Sequence, residues 1–156
     1  MSPAFRGILL VEDNAADVEF ILASLESTEL TEPVTVARDG VEALDILGCS
    51  DRTDLPAPDV LPRLVILDIK LPRVNGLEVL QRVRMHPATR EIPVVMFTSS
   101  NMQRDVAECY RLGVNSYVQK PVEFERFREV VRQLGTYWLG VNEPPGTSRF
   151  ENPRHP

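Results

Sequence analysis

Three apolar runs and one short mixed strand in this chain each end in residues that can do chemistry. Gly7 to Val11, GILLV, runs into Glu12 and Asp13, and Leu64 to Leu67, LVIL, runs into Asp68. Ile92 to Phe97, IPVVMF, ends in Thr98, Ser99 and Ser100, and Ser116 to Gln119 ends in Lys120-Pro121. Three carboxylates gathered in one pocket repel, and the remedy is protonation or a hard cation with oxygen ligands. Mg²⁺ fits such a set best, with Asp13 and Asp68 as direct ligands, Glu12 acting through water and the backbone carbonyl of Lys70 completing the protein's share. Magnesium keeps several waters and commonly bridges to phosphate, so the pocket points to phosphoryl chemistry rather than to a structural metal cage. Asp68 is then the carboxylate nucleophile, Lys120 neutralises phosphoryl oxygens and the Thr98 hydroxyl donates to one of them. The product is an aspartyl phosphate. The chain has no GxxxxGK[ST] loop to hold a nucleotide, so the phosphoryl group is expected from another protein or a small donor.

These residues meet only if the runs are parallel strands of one sheet. Short, β-branched apolar runs suit strands buried on both faces, and helical patterns separate them. Asn14 with Asp17 opens a helix carrying Val18, Ile21, Leu22 and Leu25 at i, i+3, i+4 and i+7. Val34 to Ala37 is a brief strand, and Asp39-Gly40 leads into a helix with Val41, Ala43, Leu44 and Leu47. Cys49 to Pro62 reads as a solvated connector, too rich in proline and aspartate to form an interior element. Asn75 and Glu78 cap a helix closed by His86-Pro87, which places His86 at the surface and away from the acids. Ser100 and Gln103 have capping-box spacing, which predicts a thinly apolar helix over about 101–112 stopped by Gly113.

From Glu123 the last helix carries Phe124, Phe127, Val130, Val131, Leu134, Tyr137 and Trp138, a wider apolar face than packing on a sheet requires. Tyr137, Trp138 and Leu139 lie beyond the sheet-packing positions, as core or as a homodimer patch. The expected fold is α/β, a doubly wound five-stranded parallel sheet of flavodoxin-like order 2-1-3-4-5. In that order the first and third strands are neighbours, which brings Glu12, Asp13 and Asp68 together. The expected division is a domain over 1–139 and an extended or disordered tail over 140–156.

Composition narrows the function. The 156 residues, 43% of them hydrophobic, suffice for one domain with a core. A formal net charge of -6 argues against direct nucleic-acid binding. Neither a membrane span of roughly 20 apolar residues nor a signal peptide is visible, so a cytoplasmic protein is expected. Cys49 and Cys109 have no metal-ligand spacing and read as reduced thiols.

VEDN at 11–14, LDIKLPRVNG at 67–76, FTSS at 97–100 and QKP at 119–121 resemble the receiver domain of two-component response regulators. The resemblance covers roughly 7–134. It implies that Glu12 and Asp13 are the acidic magnesium pair, Asp68 the phosphoacceptor and Thr98 the switch hydroxyl. It further implies that Lys120 is the phosphoryl-binding lysine with a cis bond to Pro121, and that Tyr117 is the rotating aromatic. The connector before the central strand, the HPATREIPVVMFTSS segment and the YWLGVNEPP ending resemble single-domain regulators paired with bacterial phytochrome histidine kinases. The implied partners are such a kinase, a second copy of the chain and a downstream phosphotransfer protein. Lys70 departs from the small polar residue more usual at its position. The alternative, from the enzyme class, is a magnesium-dependent phosphohydrolase with an aspartyl nucleophile; it needs a general acid near Asp68, and the natural place for one is held by Lys70.

Overall fold

The computed structural model describes residues 3–145. Seven strands alternate with five helices: β1 (Ala4–Phe5), β2 (Ile8–Val11), α1 (Ala15–Glu26), β3 (Val34–Ala37), α2 (Gly40–Leu47), β4 (Val60–Leu61), β5 (Leu64–Leu67), α3 (Gly76–Met85), β6 (Val94–Thr98), α4 (Gln103–Arg111), β7 (Ser116–Gln119) and α5 (Phe124–Thr136). A π-helical turn, Tyr137–Val141, extends α5. The main sheet is all parallel in the order β3-β2-β5-β6-β7, which is 2-1-3-4-5 when only its five strands are counted, the flavodoxin-like order expected from the sequence.

Alternation along the central strands builds two cores. Leu9, Val11, Val65, Leu67, Val94 and Met96 face one side and pack with residues of α2 and α3 and with Cys109 of α4. Ile8, Leu10, Leu64, Ile66, Val95 and Phe97 face the other and pack with α1 and α5. Each such side chain, taken fully out of water, contributes about 1.5–3 kcal/mol. Two helices start on the predicted caps and a third on Asp39, read from the sequence only as a turn: the side chains of Asn14, Asn75 and Asp39 accept from the amides of Asp17, Glu78 and Glu42 at 2.9, 3.0 and 2.8 Å.

The connector over 49–62 is not wholly solvated, as the sequence suggested. Val60–Leu61 pairs in parallel with Ala4–Phe5, and Leu61 is buried. The pairing continues the β2–β5 ladder below a break: Arg6 donates to the Leu61 carbonyl and Arg63 to the Gly7 carbonyl, both at 2.8 Å. At the break Gly7 adopts φ 85°, and its amide turns to Glu32 Oε1 at 2.7 Å.

Helix α4 begins at Gln103, two residues later than expected. Met102 is its N-cap and makes no side-chain capping bond. The Ser100 hydroxyl is instead engaged with the Asp105 carboxylate. Helix α4 buries only Cys109, in keeping with its thin apolar face.

At the other end, Leu139 turns into the second core, Trp138 is half-buried against it, and Tyr137 stays exposed. The Leu139 carbonyl accepts from Arg63 Nη2 at 3.2 Å, and Pro144 is buried beside Phe5, Pro62, Pro87 and Ile92. The first part of the expected tail is therefore packed; residues 146–156 lie outside the described residues. Among the described residues no helix is long and apolar enough to cross a membrane.

Candidate phosphoryl site at the strand C-termini

Register assembles the site. Val11 pairs with Leu67, and Thr98 with Gln119, so Glu12, Asp68 and Lys120 are each the residue after the last paired one. Backbone bonds lock them at that edge: Glu12 donates to the Ala37 carbonyl at 3.0 Å, Asp68 to Val11 at 3.1 Å and Lys120 to Thr98 at 2.7 Å. Helix α3 fixes Asp68 from behind. Gly76 lies so close that a Cβ there would stand 2.0 Å from the Asp68 carbonyl oxygen.

Glu12, Asp13 and Asp68 offer carboxylate oxygens that all lie within 4.8 Å of one another; Glu12 and Asp68 are buried and Asp13 is exposed. A donor set made only of oxygen, in a site whose charge is predominantly negative, fits a hard divalent cation and not a soft one. Lys120 faces this set. Its Nζ donates to Glu12 Oε1 at 2.7 Å, Asp17 Oδ2 at 2.9 Å and Asp68 Oδ2 at 3.1 Å. Asp68 Oδ1 accepts from the Ile69 amide at 2.7 Å.

Burial drives the Glu12 pKa above its ordinary value; the bond and charge of Lys120 oppose this shift, and the Asp68 charge adds to it. Burial by itself would lower the Lys120 pKa. Its bonds to Glu12 and Asp17 and the charge of Asp68 outweigh burial and hold the ammonium above its usual range.

A cleft of about 300 Å³, lined by Asp68, Lys70, Thr98 and Ser100 among others, opens over the acid. Thr98 is buried at its floor, while Lys70 is exposed at its side. Ser100 connects Thr98 to Tyr117: its amide approaches Thr98 Oγ1 at 3.4 Å, and its carbonyl accepts from the Tyr117 hydroxyl at 2.9 Å. Burial raises the Tyr117 pKa, so the phenol is a proton donor at neutral pH.

Two readings from the sequence need correction. There is no cis peptide among the described residues, so the Lys120–Pro121 bond is trans, the isomer favoured by about 0.5–1 kcal/mol for an X-Pro bond. Asp17 is also more than a capping residue. Its amide bonds the Asn14 side chain, but its carboxylate goes to Lys120, and it is Glu12 Oε2 that accepts from the Asn14 amide, at 3.1 Å. The sequence carried no signal for the Asp17–Lys120 bond, which joins residues 103 positions apart.

Residues 8–132 match the model of the response regulator receiver domain. The chain belongs to that family. Receiver domains are signalling domains, and similar proteins include response regulators named for phytochromes. The chain is 49% identical to the bacteriophytochrome response regulator AtBRR, whose structure superposes with a TM-score of 0.65 over 90% of this chain and 100% of that one. The phosphorylated cyanobacterial phytochrome response regulator RcpA is 32% identical, with a TM-score of 0.79 over 92% and 100% of the two chains. FilR2 of Methanothrix harundinacea (strain 6Ac), a probable methanogenesis regulatory protein, is 41% identical over 89% of this chain and 87% of its own length.

Proposed function

We propose that this receiver takes a phosphoryl group onto Asp68 from a histidine kinase of the phytochrome type and signals by a change of surface. One observation carries the reading: Asp68 is a buried carboxylate at the mouth of a cleft, 3.1 Å from a lysine ammonium and within 4.8 Å of two further acids. Mg²⁺ held by Asp13 and Asp68, by Glu12 through water and by the Lys70 carbonyl would supply positive charge against the phosphoryl oxygens.

The chain's own groups do the rest. An Asp68 oxygen attacks phosphorus, the P–N bond of the kinase phosphohistidine breaks, and the imidazole leaves with the electron pair. Lys120 turns toward the new phosphoryl oxygens and the Thr98 hydroxyl donates to one of them. Movement of Thr98 loosens Ser100, and with it the Tyr117 hydroxyl bond, so that Tyr117 turns inward and the α4–β7–α5 surface changes. The receiver unit, to which the chain beyond Leu139 stays packed as far as Pro144, acts in the cytoplasm. Exposed Tyr137 and Val141, beside a shallow groove of about 450 Å³ on α5, are the contact face for a second copy. A downstream phosphotransfer protein is a further partner for the phosphorylated form.

The test is labelled phosphotransfer from a purified phytochrome-type kinase, with magnesium or EDTA and with Asp68→Asn as control. Rapid, magnesium-dependent labelling that is lost in the variant is expected. Labelling from acetyl phosphate but not from the kinase would overturn the kinase pairing, and labelling of Asp68→Asn would overturn the site.

A further inference from the structure

Lys120 carries three N–H donors and no acceptor, and all three are engaged, by Glu12, Asp17 and Asp68. The phosphoryl chemistry derived above gives Asp17 no part. Phosphorylation turns the Asp68 carboxylate into an acyl phosphate, which frees the Lys120 donor that Asp68 held and presents three acceptor oxygens to the ammonium. A second donor reaches them only if Glu12 or Asp17 lets go. The Glu12 side chain is 2% exposed and would be left as a buried, unpaired charge. The Asp17 side chain is 30% exposed and returns to water at least cost.

We propose that Asp17 is a positioning residue that holds the third Lys120 donor before phosphorylation, competes with the incoming phosphoryl group for it, and by its charge slows reaction with anionic donors. The inference rests on Asp68 being the phosphoacceptor. With acetyl phosphate, an Asp68 oxygen attacks phosphorus, the P–O bond to the acetyl group breaks and acetate leaves with the electron pair; no proton moves. The Lys120–Asp17 bond opens as the ammonium follows the phosphoryl oxygens, and the half-exposed carboxylate is rehydrated.

The test compares the full-length wild type, Asp17→Asn and Asp17→Glu at saturating magnesium, using acetyl phosphate and, separately, the less negatively charged phosphoramidate. Thermal melts in EDTA report folding independently of the reaction. Removing one unit charge from a partly solvated site is worth on the order of a fivefold change in rate. Asp17→Asn should react about fivefold faster with acetyl phosphate and gain less with phosphoramidate. Added salt should narrow the gain, and Asp17→Glu should return the rate toward wild type. Equal acceleration with both donors, an unchanged rate or a slower one, with wild type labelling normally, overturns the role of Asp17 and leaves the receiver reading intact. Should Asp17→Asn melt early, an Asp17→Glu rate equal to that of Asp17→Asn refutes the charge argument on its own. Absence of wild-type labelling from both donors overturns the reading on which the inference rests.

Discussion

Replacing Lys120 with methionine keeps most of the side-chain volume and removes the charge that three carboxylates face. In the wild type the ammonium lies 2.7 Å from Glu12, whose side chain is 2% exposed. Burial already raises the Glu12 pKa, and Lys120 is the principal influence opposing it. Without the lysine, Glu12 must either stand charged and unpaired in the interior or take up a proton. Removing one partner of a buried pair costs about 3–5 kcal/mol, whereas release of half-exposed Asp17 adds less than about 1 kcal/mol. The expected loss at pH 7 in EDTA is about 3 kcal/mol, a large share of the roughly 5–15 kcal/mol that holds a domain folded.

The pH dependence has a definite sign. A carboxyl raised in the folded state contributes its full stability below its ordinary value of 4.5, and loses it as pH climbs through the folded-state value. The variant lacks the opposing lysine and should lose stability more steeply than wild type between pH 4.5 and neutrality. Lys120 is itself raised, so its contribution in the wild type is complete below 10.5 and lost only as pH rises through the higher folded-state value. Urea unfolding followed by the single tryptophan, Trp138, reads the difference. Magnesium should stabilise the variant more than the wild type, because it restores the missing positive charge. A gap under 1 kcal/mol at pH 7, or one that shrinks as pH rises, would refute the claim that Lys120 holds a charged Glu12 in the interior.

Two further perturbations probe the frame around the site. Gly76→Ala sets a Cβ 2.0 Å from the Asp68 carbonyl oxygen and 2.9 Å from the Ile69 Cα, both backbone atoms with no flexible chain to yield. It should cost about 3 kcal/mol in urea melts and slow labelling of Asp68, and a loss below 1 kcal/mol would contradict the close approach. Burial, with the charges of Asp105 and Glu108, pushes the Cys109 thiol up to about 11 from 9.0, so its stabilising share is full below pH 9 and disappears as pH rises through 11. Cys109→Ala should flatten the alkaline limb of the stability curve between those values by about 2 kcal/mol, and a limb identical to wild type would count against it.

The five main strands were legible because short runs, three of them wholly apolar, alternate with helical patterns, and their order matches the flavodoxin-like one that this alternation suggested. Two of the capped helices were equally plain, since Asn14 and Asn75 stand directly before their apolar stripes. Ala4–Phe5 and Val60–Leu61 were not legible, because two residues carry no period and the pairing is decided 56 positions away in the chain. Ser100 had the spacing of a cap but bonds Asp105 within the helix, a choice that spacing cannot express. Arg84 had no part in the sequence reading. In the fold it gathers the carbonyls of Gly113, Arg90 and Ile92 and the side chain of Asn115, tying α3 to two loops. The acids and the lysine were visible as types; that Asp17 shares the lysine rests on a bond between residues 103 positions apart, which spacing cannot express.

The pairing of Val11 with Leu67 serves two purposes at once. It decides which residues of β2 and β5 face each core, and it sets Glu12 beside Asp68. A deletion of one residue in Gly7 to Val11 would therefore exchange the two apolar faces and displace the acid pair in the same stroke. Inherited variation cannot drift along a path that keeps a sound interior while the site slides out of register. Selection for a protein that merely folds thus also guards its chemistry, and freedom to diversify is left to the helix surfaces and loops that partners read.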